Sequence, residues 1–239
     1  MPPAFHPYGT SHQAVLVLTA VLLGLLLLAS RTRHAPVWER LLGSVLLLQF
    51  PTSLIIHIQM GSLTAQTWLP LQYCDIASIA GGLALWTRKQ IWCEIVYFFG
   101  LAGTFQGLIT PALLHDYPDM RFFAFFLLHS GVSITAFYVV TAMKHRPAPG
   151  AVARMMLVSL AWYAVAAVIN LVLGTNYAFQ CAKPAQGSLF DHLGPWPWYN
   201  FIAIGLGVVF YSALYLPFAF RKPAPSPASR TGKRSWCPA

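Results

Sequence analysis

The chain has 239 residues, of which 57% are hydrophobic and only 9% charged, and its mean hydropathy is +0.59. Soluble domains carry about 25% charged residues, so a water-soluble globule is excluded and a polytopic membrane protein is predicted. The net charge of +9 sits in short loops beside apolar stretches, the pattern of loop anchoring and orientation rather than of nucleic-acid binding.

Residues 1–13 contain no Lys or Arg and so offer no positive n-region. The first apolar stretch is therefore expected to stay as a helix and not to leave as a signal peptide. A bilayer core of about 30 Å takes ~20 mostly apolar residues per helix. Seven such stretches follow one another, at 12–30, 41–60, 70–86, 91–110, 122–143, 153–173 and 198–220. Gly61, residues 87–90, Pro111, Pro147 with Pro149, and the run 194–197 separate them. With the N-terminus outside, thirteen of the fifteen Lys and Arg residues fall inside, leaving only Arg121 and Lys183 outside. The positive-inside rule then predicts an all-α polytopic fold of seven transmembrane helices, N-terminus outside and C-terminus inside, in the cytoplasmic (plasma or inner) membrane. Residues 1–220 form one membrane domain, and the basic, Pro- and Ser-rich segment 221–239 reads as a disordered cytoplasmic tail. Trp68, Trp196, Trp198 and Tyr199 fit an outer aromatic belt.

Polar residues gather at one depth. At 1.5 Å of rise per residue, His57, Cys74, Asp75, Gln106, His129 and Asn170 all fall in the outer half of their spans. Intramembrane ionisable groups are costly, so a layer of them from several helices points to a chamber open to the outer side or to a polar packing network. The inner half offers Glu94 beside Arg88 and Lys89, an expected interfacial ion pair.

Within the stretch LPLQYCDIAS (69–78), Pro70 suits a first helical turn, which puts Cys74 one turn later. A helix N-terminus favours a thiolate, whereas Asp75 and apolar surroundings oppose it. Cys74 therefore needs a base, and His129 or His57 can supply one; Asp75 would orient a group on a neighbouring helix. Gln106, Asn170 or His57 would donate to an oxyanion. Two other readings stand beside this one. A Cys74–Cys181 disulfide would remove the nucleophile, and a transporter, channel or lipid-binding protein would use Asp75 and the histidines as a polar relay. No metal-ligand spacing, phosphate loop or G-x-S-x-G motif occurs, so no metal and no cofactor are expected.

LPLQYC (69–74), FQGLITP (105–111), FFLLHSG (125–131), GTNYAFQCAKP (174–184) and SLFDHLGPWPWY (188–199) resemble the YwaF-like family of bacterial integral membrane proteins. That family is similar to the eukaryotic transmembrane protein 164, an acyltransferase thought to pass fatty acyl groups between phospholipids through a cysteine acyl-enzyme. The resemblance implies a membrane-bound lipid acyltransferase or hydrolase acting at the outer leaflet, with Cys74 as nucleophile and His129 as base. A substrate surface is expected from the loop residues Asn176 and Tyr177 together with His57, Gln106 and Asn170. Membrane lipid is the expected partner, with no soluble partner. Gln72 stands where members of the family often carry His.

Overall fold

The computed structural model describes residues 3–184 and 188–220; the expected tail 221–239 lies outside the described residues. Its regular elements are helices: α1 (Thr10–Ala29), α2 (Ala35–Gln59), α3 (Tyr73–Thr87), α4 (Gln90–Ile109), α5 (Met120–Thr141), α6 (Ala151–Leu173) and α7 (Trp198–Ala219). A 3-10 turn, Tyr177–Phe179, and another, Leu189–His192, interrupt the α6–α7 connection. Six of the helices, all but α3, are long and apolar enough to cross a membrane.

The exception is informative. The sequence predicts a helix over 70–86, but α3 starts at Tyr73, because Gln72 is extended (φ −74°, ψ 150°). Pro70 therefore precedes the helix, and Cys74 is its second residue rather than a full turn inside it. Asp75 helps to fix this boundary: its Oδ2 accepts the backbone N–H of Gln72 at 3.1 Å, satisfying a donor at the helix start. At 15 residues, α3 is about 22 Å long.

Small residues let α3 sit at the centre. A Cβ on Gly82 would lie 2.5 Å from Leu47 Cγ and 2.8 Å from the Gly43 carbonyl oxygen, so α2 and α3 approach almost backbone to backbone. Ala77, Ala80 and Ala84 are fully buried against α2, α4 and α5. By contrast, most of α1, α6 and α7 is open to the surroundings and apolar (Val17, Leu25, Leu157, Leu171, Val209), as expected of helices that bury little against protein and face hydrocarbon.

Buried carboxylates pin one end of the bundle. Glu94 on α4 accepts from Arg154 Nε (2.9 Å) and Nη2 (2.7 Å), from Ala148 N–H (2.8 Å) and from Gln90 Nε2 (3.0 Å). The ion pair expected for Glu94 thus forms with Arg154 of α6, not with Arg88. Arg88 instead pairs with Glu39 of α2, which also accepts from Tyr138 Oη at 2.9 Å. Beside this cluster, burial and then the charge of Arg88 hold the His145 imidazole below its usual range. At the opposite end, residues 3–12 dock on the α4–α5 loop. Phe5 N–H donates to the Leu114 carbonyl (3.1 Å), Ser11 Oγ to Asp116 (2.8 Å), and buried His12 joins Tyr8 N–H to the Leu108 carbonyl. These ends are called below the Glu94 end and the Cys74 end.

Candidate active site

Helix α4 supplies the floor of the site. It passes through a π-helical turn at Gly100–Thr104, a feature frequent at functional sites. Two glycines flank the end of that turn. A Cβ on Gly103 would fall 2.4 Å from the Tyr73 ring, and one on Gly107 would fall 2.5 Å from His129 Cδ2 and 2.6 Å from Nε2. Both aromatic side chains therefore lie directly on glycine backbone, where any larger residue would displace them.

The helix register brings Cys74 to the same height. Gly81 of α3 faces inward, with Val96 of α4, Leu46 of α2 and Thr135 of α5 around it. Cys74 lies seven residues back along α3, two full turns, and so points the same way about 10 Å further toward the Cys74 end. Eight residues beyond Val96 on α4 is Thr104, about 12 Å along; six residues before Thr135 on α5 is His129, about 9 Å along. Cys74, Thr104 and His129 thus come from three helices to within roughly 3 Å of one level.

His129 is held in one orientation. It is buried, its ring stacks on Phe125 at 4.0 Å, and its Nδ1 lies 2.7 Å from the Phe125 carbonyl. A carbonyl only accepts, so Nδ1 carries the proton and Nε2 keeps its lone pair. No hydrogen bond joins Cys74 to His129 or to His57 among the described residues, and none joins Asp75 to either histidine. Cys74 and Cys181 are both free thiols, so the disulfide alternative is not realised.

The other expected site residues divide into two groups. Asn170, buried at the end of α6, is fully engaged: Nδ2 donates to the Tyr177 carbonyl (3.0 Å) and to Gln180 Oε1 (3.2 Å), and Oδ1 accepts from Thr175 Oγ1 (2.9 Å) and Tyr177 N–H (2.7 Å). Gly174, at φ 64°, makes the left-handed turn that starts this loop. Buried Tyr177 then donates to the Ala65 carbonyl at 2.5 Å and accepts from Leu69 N–H at 3.0 Å, while Asn176 ties the loop to itself through the Cys181 and Ala182 N–H groups. Gln72 Oε1 accepts from Ala178 N–H at 3.2 Å. The segment 174–182 is thereby strapped onto the α2–α3 loop, directly over the start of α3. His57 and Gln106 belong to the second group, at the margin: His57 Nδ1 bonds Ser62 Oγ at 3.0 Å, and the Gln106 side chain is exposed.

Sequence reasoning missed three side chains. Thr104 Oγ1, Gln49 Oε1 and Trp162 Nε1 are buried polar atoms with no hydrogen-bond partner among the described residues. Gln49 Nε2 donates to Ala124 at 2.7 Å, next to the carbonyl that anchors His129, and Trp162 packs edge-on against Tyr73 at 5.3 Å. An orphaned buried donor or acceptor costs about 1–3 kcal/mol, and native structures keep few of them. Trp162 thus borders the residue before Cys74, and Gln49 the turn of α5 that holds His129. The one sequence signal for them is the glycine spacing on α4, which marks close packing but not a π turn.

The sequence matches the TMEM164 family over residues 7–215. The chain belongs to the TMEM164 family. It is also similar to an uncharacterized protein of Treponema pallidum (strain Nichols), 25% identical over 159 residues, which is 65% of this chain and 66%, just under two thirds, of that protein. No solved structure matches it. Family membership and the apolar helices make this chain an integral, multi-pass membrane protein.

Proposed function

We propose that this TMEM164-family protein spans the cytoplasmic membrane seven times, N-terminus outside, and uses Cys74 to transfer or hydrolyse acyl groups of outer-leaflet lipids. The orientation is supported by charge. Among the described residues, Arg31, Arg33, Arg40, Arg88, Lys89, Lys144, Arg146 and Arg154 lie toward the Glu94 end, and Arg121 and Lys183 toward the other. Helix α3 completes the seven. Because it is short, it begins below the membrane surface, and the 174–182 strap fills the space above it.

One observation supports the chemistry: buried His129 holds its proton on Nδ1, which leaves Nε2 to accept, and residue counting puts it near the level of Cys74 at the N-terminus of α3. The thiol proton passes to His129 Nε2 through one bridging hydroxyl, of water or substrate. Sulfur bonds the ester carbonyl carbon, and the carbonyl π electrons move to oxygen. When that oxyanion collapses, the C–O bond to glycerol breaks and the glycerol oxygen takes the proton from the imidazolium. The thioester then passes its acyl group to a lysophospholipid hydroxyl, or to water, by the reverse sequence. Asp75 acts as a positioning residue by fixing the start of α3, as does Asn170 by shaping the strap. Tyr177, Asn176, His57 and Gln106 form the surface over which the headgroup lies.

The test is reconstitution with a diacyl phospholipid and a lysophospholipid bearing a deuterated headgroup. Wild type is expected to yield the diacyl product with the heavy headgroup, and Cys74→Ala and His129→Ala to yield none. Equal product from Cys74→Ala rules the reading out.

A further inference from the structure

We propose that the hydroxyl of Thr104 is the donor that holds the lipid ester carbonyl while Cys74 attacks it, a catalytic role that rests on the acyl-transfer reading above.

The π turn creates this donor. Thr104 is 2% exposed, and its Oγ1 has no partner among the described residues. Helix hydroxyls nearby behave otherwise: Ser133 donates to the His129 carbonyl at 2.6 Å and Thr135 to the Gly131 carbonyl at 2.8 Å, each four residues back. The equivalent acceptor for Thr104 is the Gly100 carbonyl, which the π register turns toward the N–H of Phe105. A buried hydroxyl is thereby left with a proton to give and no acceptor. The same register keeps Thr104 on the face shared by Gly100 and Gly107, which press on Val132 with Ala136 and on His129 respectively. Thr104 thus lies on the face toward α5 between those contacts, at about the height of Cys74 by residue counting.

The acceptor that suits such a donor is uncharged in its resting state and lies within an apolar layer. An ester carbonyl of a membrane lipid fits: it is neutral when bound and gains negative charge as sulfur adds, so the hydrogen bond strengthens in the transition state. Of the groups nominated from sequence, Asn170 has spent its donors on the strap, Gln106 is exposed, and His57 lies at the margin with Nδ1 on Ser62.

The experiment uses the full chain in nanodiscs of phosphatidylcholine with 13C-labelled ester carbonyls, with two readouts. The first is the rate at which Cys74 becomes acylated, followed by intact mass. Thr104→Val is expected to slow it by about 10²-fold at saturating lipid, with little change in KM, and Thr104→Ser to recover most of the loss. The second is the infrared band of lipid bound to Cys74→Ala protein. A sub-band below that of free lipid is expected, and it should vanish in the Cys74→Ala, Thr104→Val double variant. Thr104→Val should unfold at or above the wild-type temperature, since it removes an unpaired hydroxyl and no bond. Wild-type acylation by Thr104→Val, an unchanged infrared band, or a lower unfolding temperature each overturns the assignment; the last shows a hydroxyl that serves only the fold, directly or through a structural water. If wild type never acylates Cys74, the acyl-transfer reading fails, and the infrared arm alone decides whether Thr104 binds an ester.

Discussion

The two ends of this bundle treat buried polar groups in opposite ways. At the Glu94 end the buried carboxylates are saturated: Glu94 receives bonds from Arg154, Gln90 and Ala148, and Glu39 from Arg88 and Tyr138. Toward the Cys74 end, Thr104, Gln49 and Trp162 each keep a polar atom without a partner among the described residues, and Cys74 and His129 do not bond each other. A saturated network rigidifies, whereas an unsaturated one keeps capacity for a ligand. The first end holds the helices together, and the second is where the proposed chemistry would take place.

Breaking the saturated end gives the largest loss of stability. Glu94→Ala removes the buried acceptor shared by Arg154, Gln90 and the Ala148 N–H and is expected to cost about 3 kcal/mol, since several hydrogen bonds to one buried carboxylate are lost together. Thermal unfolding in detergent checks this, and Cys74→Ala in the same assay should shift little. Next, Gly107→Ala brings a methyl 2.5 Å from the His129 ring. Overpacking of this kind costs about 1–3 kcal/mol, and the displaced imidazole should reduce acyl transfer at least tenfold. Gly24→Ala on α1 is the control, with nothing within 4 Å of its Cβ; it should be neutral or stabilising by up to ~1 kcal/mol.

The strap allows a local test. Asn170→Ala removes four hydrogen bonds and is expected to cost about 2 kcal/mol. Hydrogen exchange should rise over residues 174–182 and stay unchanged around Glu94. The smallest effect concerns pH. The side-chain and backbone hydrogen bonds from Arg121 hold the Asp119 carboxyl down at about 2, while in the unfolded chain it titrates near ~3.9. A depressed carboxyl stabilises above the unfolded value, and the contribution fades as pH falls toward 2. Asp119→Asn, which keeps an N-cap side chain but removes the charge that faces Arg121, should therefore lower the unfolding temperature at neutral pH and converge on wild type as the pH falls through 2.

Much of the fold was legible because hydrocarbon imposes long apolar runs, and six of the expected stretches emerge as helices long enough to cross a membrane. The third was misjudged at its start. Pro70 is compatible with a first turn, but the extended Gln72, bound to Asp75 and to Ala178, sets the boundary instead, and Ala178 lies 106 residues away. The same limit applies to the site. Cys74 and His129 stand out as reactive side chains in apolar runs, and their depths follow from counting residues. The partners of Asn170, the exchange of Arg88 for Arg154 beside Glu94, and the freed hydroxyl of Thr104 depend on tertiary contacts or on a π turn, neither of which leaves a periodic trace. Glu39 was overlooked because a carboxylate near a loop looks solvated until Tyr138 and Arg88 are seen to enclose it.

The most direct measurement is the intact mass of the purified chain after incubation with a defined diacyl phospholipid, with and without hydroxylamine, which cleaves thioesters. Wild type is expected to gain one acyl mass, located on Cys74 and released by hydroxylamine, and His129→Ala to gain none. An adduct that persists in Cys74→Ala, or a wild-type chain that never gains the mass, contradicts the account.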